Sequence, residues 1–155
     1  MKKLVKPLLA VLLVSATSAA LAQQAPKPEQ VIKWRQSVYQ TLAWYNGRIK
    51  ANVEGTYNKE DVVRAANGIA AIANSGLGAL YPAGTETGKG WRETTVKPEL
   101  FTEGAKVGEV AKRFSTEANE LAKVAATGDA AAVKAQFGKL GQTCKSCHDD
   151  FRKKD

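Results

Sequence analysis

The residues with the clearest chemical potential lie near the end of the chain, in the run Cys144-Lys145-Ser146-Cys147-His148. This C-x-x-C-H spacing is typical of c-type haem attachment. Both cysteine sulfurs must reach the vinyl-derived carbons on one side of a porphyrin, while the next residue presents an imidazole nitrogen to the iron. Helical backbone places all three groups on one side of the chain. The motif predicts one covalent haem c, with thioether bonds at Cys144 and Cys147 and His148 as an axial ligand.

An alternative interpretation of the motif is a redox-active dithiol followed by a chance histidine. Such a dithiol belongs near the start of a helix in a βαβ unit, whereas this motif closes a chain without β-type alternation. An export signal also leads to the compartment in which c-type cytochromes are usually matured. Both observations favour haem.

That export signal occupies residues 1–22. Three early lysines precede a seven-residue apolar run (residues 8–14), and Ala20-Leu21-Ala22 follows as an A-x-A cleavage site. The apolar run is shorter than the roughly 20 residues that span a bilayer, although a retained membrane anchor is the alternative. Cleavage leaves residues 23–155 as one exported, soluble domain.

The composition excludes several classes of protein. The chain has one histidine, two cysteines and one methionine. A zinc site needs three or four Cys, His or carboxylate ligands, and a disulfide framework needs more than two cysteines. A Ser-His-Asp hydrolase would have to use His148. The formal charge of +8 falls when three lysines leave with the signal, and the remaining charges are dispersed, so neither nucleic acid nor a membrane is an expected partner.

The same scarcity bears on the second axial position of the iron. Without Met1, the exported chain offers no second histidine and no methionine, the usual sixth ligands of electron-transfer cytochromes. Lysine, tyrosine or the N-terminal amine could bind, but each must first lose a proton, which weakens its affinity at neutral pH. We therefore predict a five-coordinate iron with an open axial position, which favours a diatomic ligand such as NO or CO.

Four amphipathic segments must position these groups. The first begins at Pro28 and runs about seven turns to Gly55, and the second follows the N-cap Asn58. A third follows Pro98, and a fourth runs from about Ala130 to Arg152 after a Gly-Asp stop and restart. Residues 77–97 predict a long loop. The pattern predicts an all-α, four-helix bundle.

The sequence resembles the cytochrome c′ family, the class II c-type cytochromes, over essentially the whole exported chain. The segments that carry the resemblance are Cys144-Lys145-Ser146-Cys147-His148, Phe151-Arg152-Lys153-Lys154, Trp34-Arg35-Gln36, Gly47-Arg48-Ile49-Lys50-Ala51-Asn52 and Gly84-Thr85-Glu86. The resemblance implies an antiparallel bundle, a homodimer, a periplasmic location and a high-spin, five-coordinate haem. It also implies binding of NO and CO in preference to O₂.

The resemblance further implies roles for individual residues. Arg35 and Gln36 match the pair that contacts the haem propionates, and a guanidinium suits a carboxylate; the alternative is a solvated helix surface. Thr85 and Glu86 match the loop at the haem edge, or are polar loop residues without a role. Arg152 matches a basic residue beside the proximal ligand, or is a solvated arginine in the last turn.

Tyr39 falls where the family places a side chain on the distal face of the haem, a position at which many members carry leucine. Its ring would crowd incoming ligands, and its hydroxyl could donate a hydrogen bond to bound NO. The alternative is a tyrosine of the core or of an interface. Trp34, Trp44 and Tyr45 are interpreted as packing or dimer-interface residues.

Three functions remain open at this point. The first is a gas-binding protein that sequesters or carries NO without turnover. The second is an electron carrier with a periplasmic redox partner that the sequence does not identify. The third is an enzyme such as a peroxidase, which usually needs a distal acid-base group that this chain lacks, so no enzymatic activity is expected. The first interpretation is favoured.

Overall fold

A computed structural model describes residues 25–154, and the predicted signal segment lies outside them. The elements are α1 (Pro28–Glu54), α2 (Lys59–Ala73), a short 3-10 helix (Leu77–Leu80), α3 (Glu99–Thr102), α4 (Gly104–Thr127) and α5 (Ala130–Phe151). The four long helices form a bundle in which α1 packs on α2, α2 on α4, and α4 on α5. The predicted four-helix architecture is confirmed. Within the described residues, no helix is long and apolar enough to cross a membrane.

The turn between α4 and α5 follows the prediction closely. Gly128 ends α4 with φ of +83°, a left-handed conformation that glycine adopts without steric cost. Asp129 then caps α5, because its Oδ1 accepts hydrogen bonds from the backbone N–H groups of Ala131 and Ala132 at 2.9 and 3.0 Å. This cap starts the helix that carries the C-x-x-C-H motif.

The third predicted helix is not continuous. It divides into α3 and α4 at Glu103, whose backbone φ and ψ of −98° and +51° are not helical. Glycine is about 1 kcal/mol less favourable than alanine in the interior of a helix, and the break places Gly104 at the first position of α4 instead. The single helix predicted after Pro98 is therefore wrong at this point.

The core of the bundle is built from small and medium apolar side chains on all four long helices. Its fully buried larger members include Ile49, Ile69, Leu121, Val133 and Leu140. Alanines on α2 and α4 let the helices approach closely. The interpretation of Tyr45 as a packing residue is confirmed, because its ring lies against this core and over Gly68, where a Cβ atom would approach the ring to 2.4 Å.

A polar clasp fixes the start of α2 against α1. The Asp61 carboxylate accepts hydrogen bonds from Arg48 and, at 2.9 Å, from the side-chain amide of Asn52. Asn52 in turn accepts a hydrogen bond from the backbone N–H of Asn58 at 2.7 Å. The hydrogen bond from Arg48 lowers the pKa of the Asp61 carboxyl, and the bond from Asn52 adds to this effect.

The lowered pKa of Asp61 predicts a pH-dependent contribution to stability. A carboxyl whose pKa is depressed by folding stabilises the fold above its unfolded pKa of about 3.9, and this contribution is lost as the pH falls through the lower folded value. We expect Asp61→Asn to lower the free energy of unfolding at pH 7, and we expect the difference from wild type to shrink below about pH 4. Urea titrations at pH 7 and pH 3 measure this.

The exposed carboxylate of Glu60, one residue earlier on α2, provides the matched control. Glu60→Gln should change stability little at either pH, because exposed ion pairs contribute on the order of 0–1 kcal/mol. A deficit of Asp61→Asn that stays constant with pH would contradict the proposed ionic origin.

Candidate haem site

The C-x-x-C-H motif occupies the last turns of α5. Cys144 and Cys147 are half-buried free thiols, and His148 directly follows the second of them on the same helix. The His148 side chain is largely exposed. The two sulfurs and the imidazole thus come from consecutive turns of a helix, as the motif predicts.

The titration behaviour of these groups follows from their surroundings. Burial raises the pKa of both thiols, and Cys144 and Asp150 raise that of Cys147 further. Partial burial of the ring lowers the pKa of His148; Arg152 lowers it further, while Asp149 acts in the opposite direction. The lowered pKa favours the neutral imidazole, which is the form that binds a metal.

The carboxyl end of α5 is clamped by the segment that precedes α3. The Lys97 ammonium donates hydrogen bonds to the carbonyl oxygens of Asp149 and Asp150 at 2.9 and 3.0 Å, and its backbone N–H donates to Phe151 at 2.9 Å. These carbonyls have no partner within the helix, and a cation here also complements the helix dipole. Sequence reasoning missed Lys97, since nothing distinguishes it from a surface lysine before the chain folds.

Arg152 lies at the end of the same helix. Its backbone N–H donates to the carbonyl of His148 at 3.1 Å, and it forms an isolated β-bridge with Val96. The residue is half-buried and close enough to His148 to affect its pKa. The structure therefore places Arg152 beside the predicted axial ligand rather than fully in solvent.

Tyr39 reaches the motif from α1. Its hydroxyl accepts a hydrogen bond from the hydroxyl of Tyr81 at 3.1 Å. Both Cys147 and Cys144 raise the pKa of Tyr39, so the phenol lies on the side of α5 that carries the attachment cysteines. Sequence reasoning missed Tyr81; the one signal available was an aromatic residue in an otherwise polar, glycine-rich loop.

Both phenols remain protonated at neutral pH. Burial is the largest cause that raises the pKa of Tyr39, although 37% of the residue's surface is exposed. Burial likewise raises the pKa of Tyr81, and Tyr39 raises it further. The groups that α1 and the loop bring to the cysteines are therefore two neutral phenols.

Arg35 joins the long loop to α1. Its guanidinium donates four hydrogen bonds: to the carbonyl oxygens of Leu80 at 3.2 Å and Thr85 at 3.0 Å, and to the hydroxyls of Thr85 at 3.2 Å and Thr94 at 3.0 Å. The residue is only 3% exposed. The alternative of a solvated surface arginine is therefore wrong.

The guanidinium of Arg35 also lies 4.7 Å from the centre of the Tyr81 ring, within the range of a cation–π contact. Burial lowers the pKa of Arg35, while Tyr81, Tyr39 and Glu86 raise it. A buried charge is tolerated only when hydrogen bonds replace its hydration, and the loop supplies them. Arg35 thus fixes both the path of the loop and the position of Tyr81.

Gln36 holds the next part of the same loop. Its side-chain oxygen accepts from the backbone N–H groups of Trp91 and Arg92 at 2.7 and 3.3 Å, and its nitrogen donates to the Arg92 carbonyl at 2.8 Å. A Cβ atom at Gly90 would lie 2.6 Å from this side chain, so the close approach requires glycine. Gln36 therefore serves loop attachment, which its sequence pattern did not show.

Thr85 and Glu86 shape the loop tip. Thr85 is 1% exposed, and its hydroxyl donates to the carbonyl of Pro82 at 2.8 Å. The Glu86 carboxylate accepts from the backbone N–H of Gly84 at 3.0 Å. Both side chains form hydrogen bonds within the loop and so help to fix its conformation.

Trp34 and Trp44 lie exposed on α1, with 46% and 55% of their surfaces accessible. Neither belongs to the buried core of its own chain, although the Trp44 ring lies 4.8 Å from the Tyr45 ring and 5.0 Å from the Arg48 guanidinium. A role of the two tryptophans at a dimer interface stays a prediction. Trp91, in the loop, is also exposed and lies beneath the ammonium of Lys33 at 5.2 Å.

Comparison with known proteins identifies the family. The family model described as Cytochrome C' matches residues 30–152. The chain belongs to the cytochrome c′ family. Among its relatives, cytochrome c' of Rhodocyclus tenuis is 71% identical over 130 residues, covering 83% of this chain and 98% of the relative.

Solved structures of the cytochrome c′ family share the fold. A cytochrome c' with an unusual ligand-controlled dimer dissociation superposes with a TM-score of 0.81 at 53% identity, covering 83% of this chain and 98% of its own. The nitric oxide complex of a mutant cytochrome c prime from Alcaligenes xylosoxidans has a TM-score of 0.74 at 28% identity, with 83% and 98% covered. A carbon monoxide complex of a variant of the same protein has a TM-score of 0.73.

The described residues fit the cofactor that cytochrome c′ proteins carry. Two free thiols and an imidazole follow one another on one helix, as covalent haem c requires. The phenols of Tyr39 and Tyr81 come near the attachment cysteines, and aromatic groups suit the face of a flat, largely apolar ring. Haem c is therefore the cofactor of this chain.

The clamp at the end of α5 predicts a structural role for Lys97. Lys97→Met removes the ammonium that satisfies two helix carbonyls, and we expect a loss of roughly 1 kcal/mol in the free energy of unfolding. Lys134→Met, on the exposed face of the same helix, is the matched control and should change stability little. Urea unfolding of the holoprotein measures both, and equal effects would contradict the clamp.

Proposed function

We propose that this chain is a periplasmic gas-binding haem protein, with a five-coordinate iron that takes NO or CO and no turnover of its own. The observation that carries the proposal is the pair of neutral phenols beside the attachment cysteines. A phenol must lose its proton to bind iron, and burial raises the pKa of both Tyr39 and Tyr81. The sequence offers no second histidine, and its one methionine is Met1.

In this proposal Cys144 and Cys147 hold the haem through thioether bonds, and His148 binds the iron. A ferrous haem iron with an open axial position binds diatomic gases. The lowered pKa of His148 keeps its imidazole in the ligating form, and the Lys97 clamp fixes the helix end that presents it. Arg152 lies beside this ligand and contributes a positive charge on the proximal side.

Arg35, Gln36, Thr85 and Glu86 are proposed to border the haem propionates. The four hydrogen bonds of Arg35 to the loop occupy its two terminal nitrogens, so its contribution to a propionate is its charge and its remaining N–H group. Gln36, Thr85 and Glu86 then act by holding the loop in place around that charge.

The sequence and the relatives support a proposal for the location and assembly of the chain. The basic and apolar start of the sequence, with its cleavage site after Ala22, supports export to the periplasm. A similar cytochrome c' shows ligand-controlled dimer dissociation, and Trp34 and Trp44 are exposed on α1. We infer a homodimer in which these two tryptophans contribute to the interface, because aromatic residues are enriched there.

The visible spectrum of the ferrous holoprotein tests the open axial position directly. We expect a high-spin, five-coordinate spectrum that shifts on addition of CO, because no strong sixth ligand is available. A low-spin spectrum that does not change on addition of CO would contradict the proposal. It would favour electron transfer as the function of the protein. A carbon monoxide complex and a nitric oxide complex of variants of a relative at 28% identity support the expected outcome.

Tyr39 is expected to limit the entry of ligands by crowding the distal face. Tyr39→Ala should raise the rate constant for CO association roughly tenfold, equivalent to about 1.4 kcal/mol of barrier. Gln40→Ala, at the next and exposed position of α1, should leave this rate unchanged. Flash photolysis of the CO complexes measures both, and an unchanged rate in Tyr39→Ala would remove Tyr39 from the distal face.

A further inference from the structure

A hydrogen bond between two tyrosines joins α1 to the long loop next to the attachment cysteines. Tyr81 donates to Tyr39 at 3.1 Å across 42 positions of sequence. Burial is the largest cause that raises the pKa of both phenols, and Cys147 adds a smaller effect on each, so both hydroxyls lie near the motif of α5. The contact therefore sits at the candidate haem site.

The two hydroxyls carry two hydrogens, and only one of them is used within the pair. Tyr81 donates its hydroxyl hydrogen to the Tyr39 oxygen. Among the residues that the structure describes, none accepts the hydrogen of Tyr39. Because both phenols stay protonated at neutral pH, Tyr39 keeps a free donor near the attachment cysteines.

Tyr81 is the more firmly held member of the pair. The Arg35 guanidinium lies 4.7 Å from its ring centre, and the ring of Phe101 meets it edge-on with centroids 6.2 Å apart. Its backbone N–H also donates to Gly78 at 3.0 Å. Arg35 is itself fixed by its hydrogen bonds to the loop. These contacts therefore hold Tyr81 in place independently of Tyr39.

We propose that Tyr81 is a positioning residue for the gas ligand: it holds the Tyr39 hydroxyl so that the free hydrogen of Tyr39 is donated to the diatomic ligand. The inference rests on the proposed gas binding. A hydroxyl that accepts one hydrogen bond becomes a better donor for the next, so Tyr81 also strengthens the donation. Tyr81 thereby favours ligands whose outer atom accepts a hydrogen bond.

Tyr81→Phe tests the proposal in the ferrous CO complex of the holoprotein, since it removes the hydroxyl and keeps the ring. We expect the C–O stretching frequency to rise, because a weaker hydrogen bond to the ligand oxygen reduces back-donation from the iron. We expect CO dissociation to accelerate roughly two- to fivefold, as for the loss of one modest hydrogen bond. Infrared spectroscopy and ligand-replacement kinetics measure the two effects.

Tyr57→Phe is the matched control. Tyr57 packs against the core with a buried hydroxyl that lacks a partner in the described part of the chain. Removing this hydroxyl changes a partly buried tyrosine and leaves the Tyr39–Tyr81 pair intact. The C–O stretch and the dissociation rate should therefore match wild type.

The double variant shows whether Tyr81 acts through Tyr39. In a Tyr39→Phe background, Tyr81→Phe should shift neither the stretch nor the rate. An equal shift in both backgrounds, or none in Tyr81→Phe alone, overturns the proposal. If Tyr81→Phe folds poorly, the test uses Tyr39→Phe, which removes the proposed donor to the ligand. The C–O stretching frequency must then rise, and an unchanged frequency overturns the inference.

Failure of this inference is distinguishable from failure of the proposed function. A wild-type ferrous protein that binds no CO overturns gas binding and the role of Tyr81 together. Wild-type binding with a stretch insensitive to Tyr39→Phe and Tyr81→Phe overturns only the role of the tyrosine pair.

Discussion

The burial of one guanidinium governs how the candidate site is assembled. Arg35 sits 3% exposed near the start of α1, and a charge so placed is unfavourable unless hydrogen bonds replace its hydration. The loop between α2 and α3 provides them through two backbone carbonyls and two threonine hydroxyls. Because the charge cannot be satisfied otherwise, the loop is held on α1, and Tyr81 is carried to Tyr39 and the cysteines of α5.

A second constraint acts at the opposite side of the motif. The last carbonyls of a helix have no intrahelical partner, and here Lys97 satisfies two of them one and two residues beyond His148. The segment containing Lys97 directly follows the loop that Arg35 fixes. One stretch of irregular chain therefore holds both the aromatic groups near the cysteines and the helix end that presents the imidazole. This explains why a long loop is retained in a bundle whose other connections are short.

The four long helices pack around a core of small and medium-sized side chains. Alanines, valines and a few larger aliphatic residues fill the core, and the Asp61 clasp sets α2 against α1. Of the aromatic residues, Tyr45 and Tyr57 pack against this core, whereas Tyr39 and Tyr81 lie at the site and Trp34 and Trp44 lie on the exposed face of α1. The division fits a protein of the cytochrome c′ family, in which the bundle must leave room for a large cofactor beside its last helix.

Periodicity, capping and the C-x-x-C-H spacing are local properties of the chain, so the bundle, the cap at Asp129, the haem motif and the scarcity of axial ligands could be predicted before folding was considered. The sequence did not predict the break at Glu103, which interrupts a segment whose apolar residues continue on both sides. Nor could it assign Lys97, Gln36 or Tyr81, whose partners lie many positions away along the chain. A hydrogen bond across 42 positions depends on how helices and loop pack, so only the tertiary structure decided it.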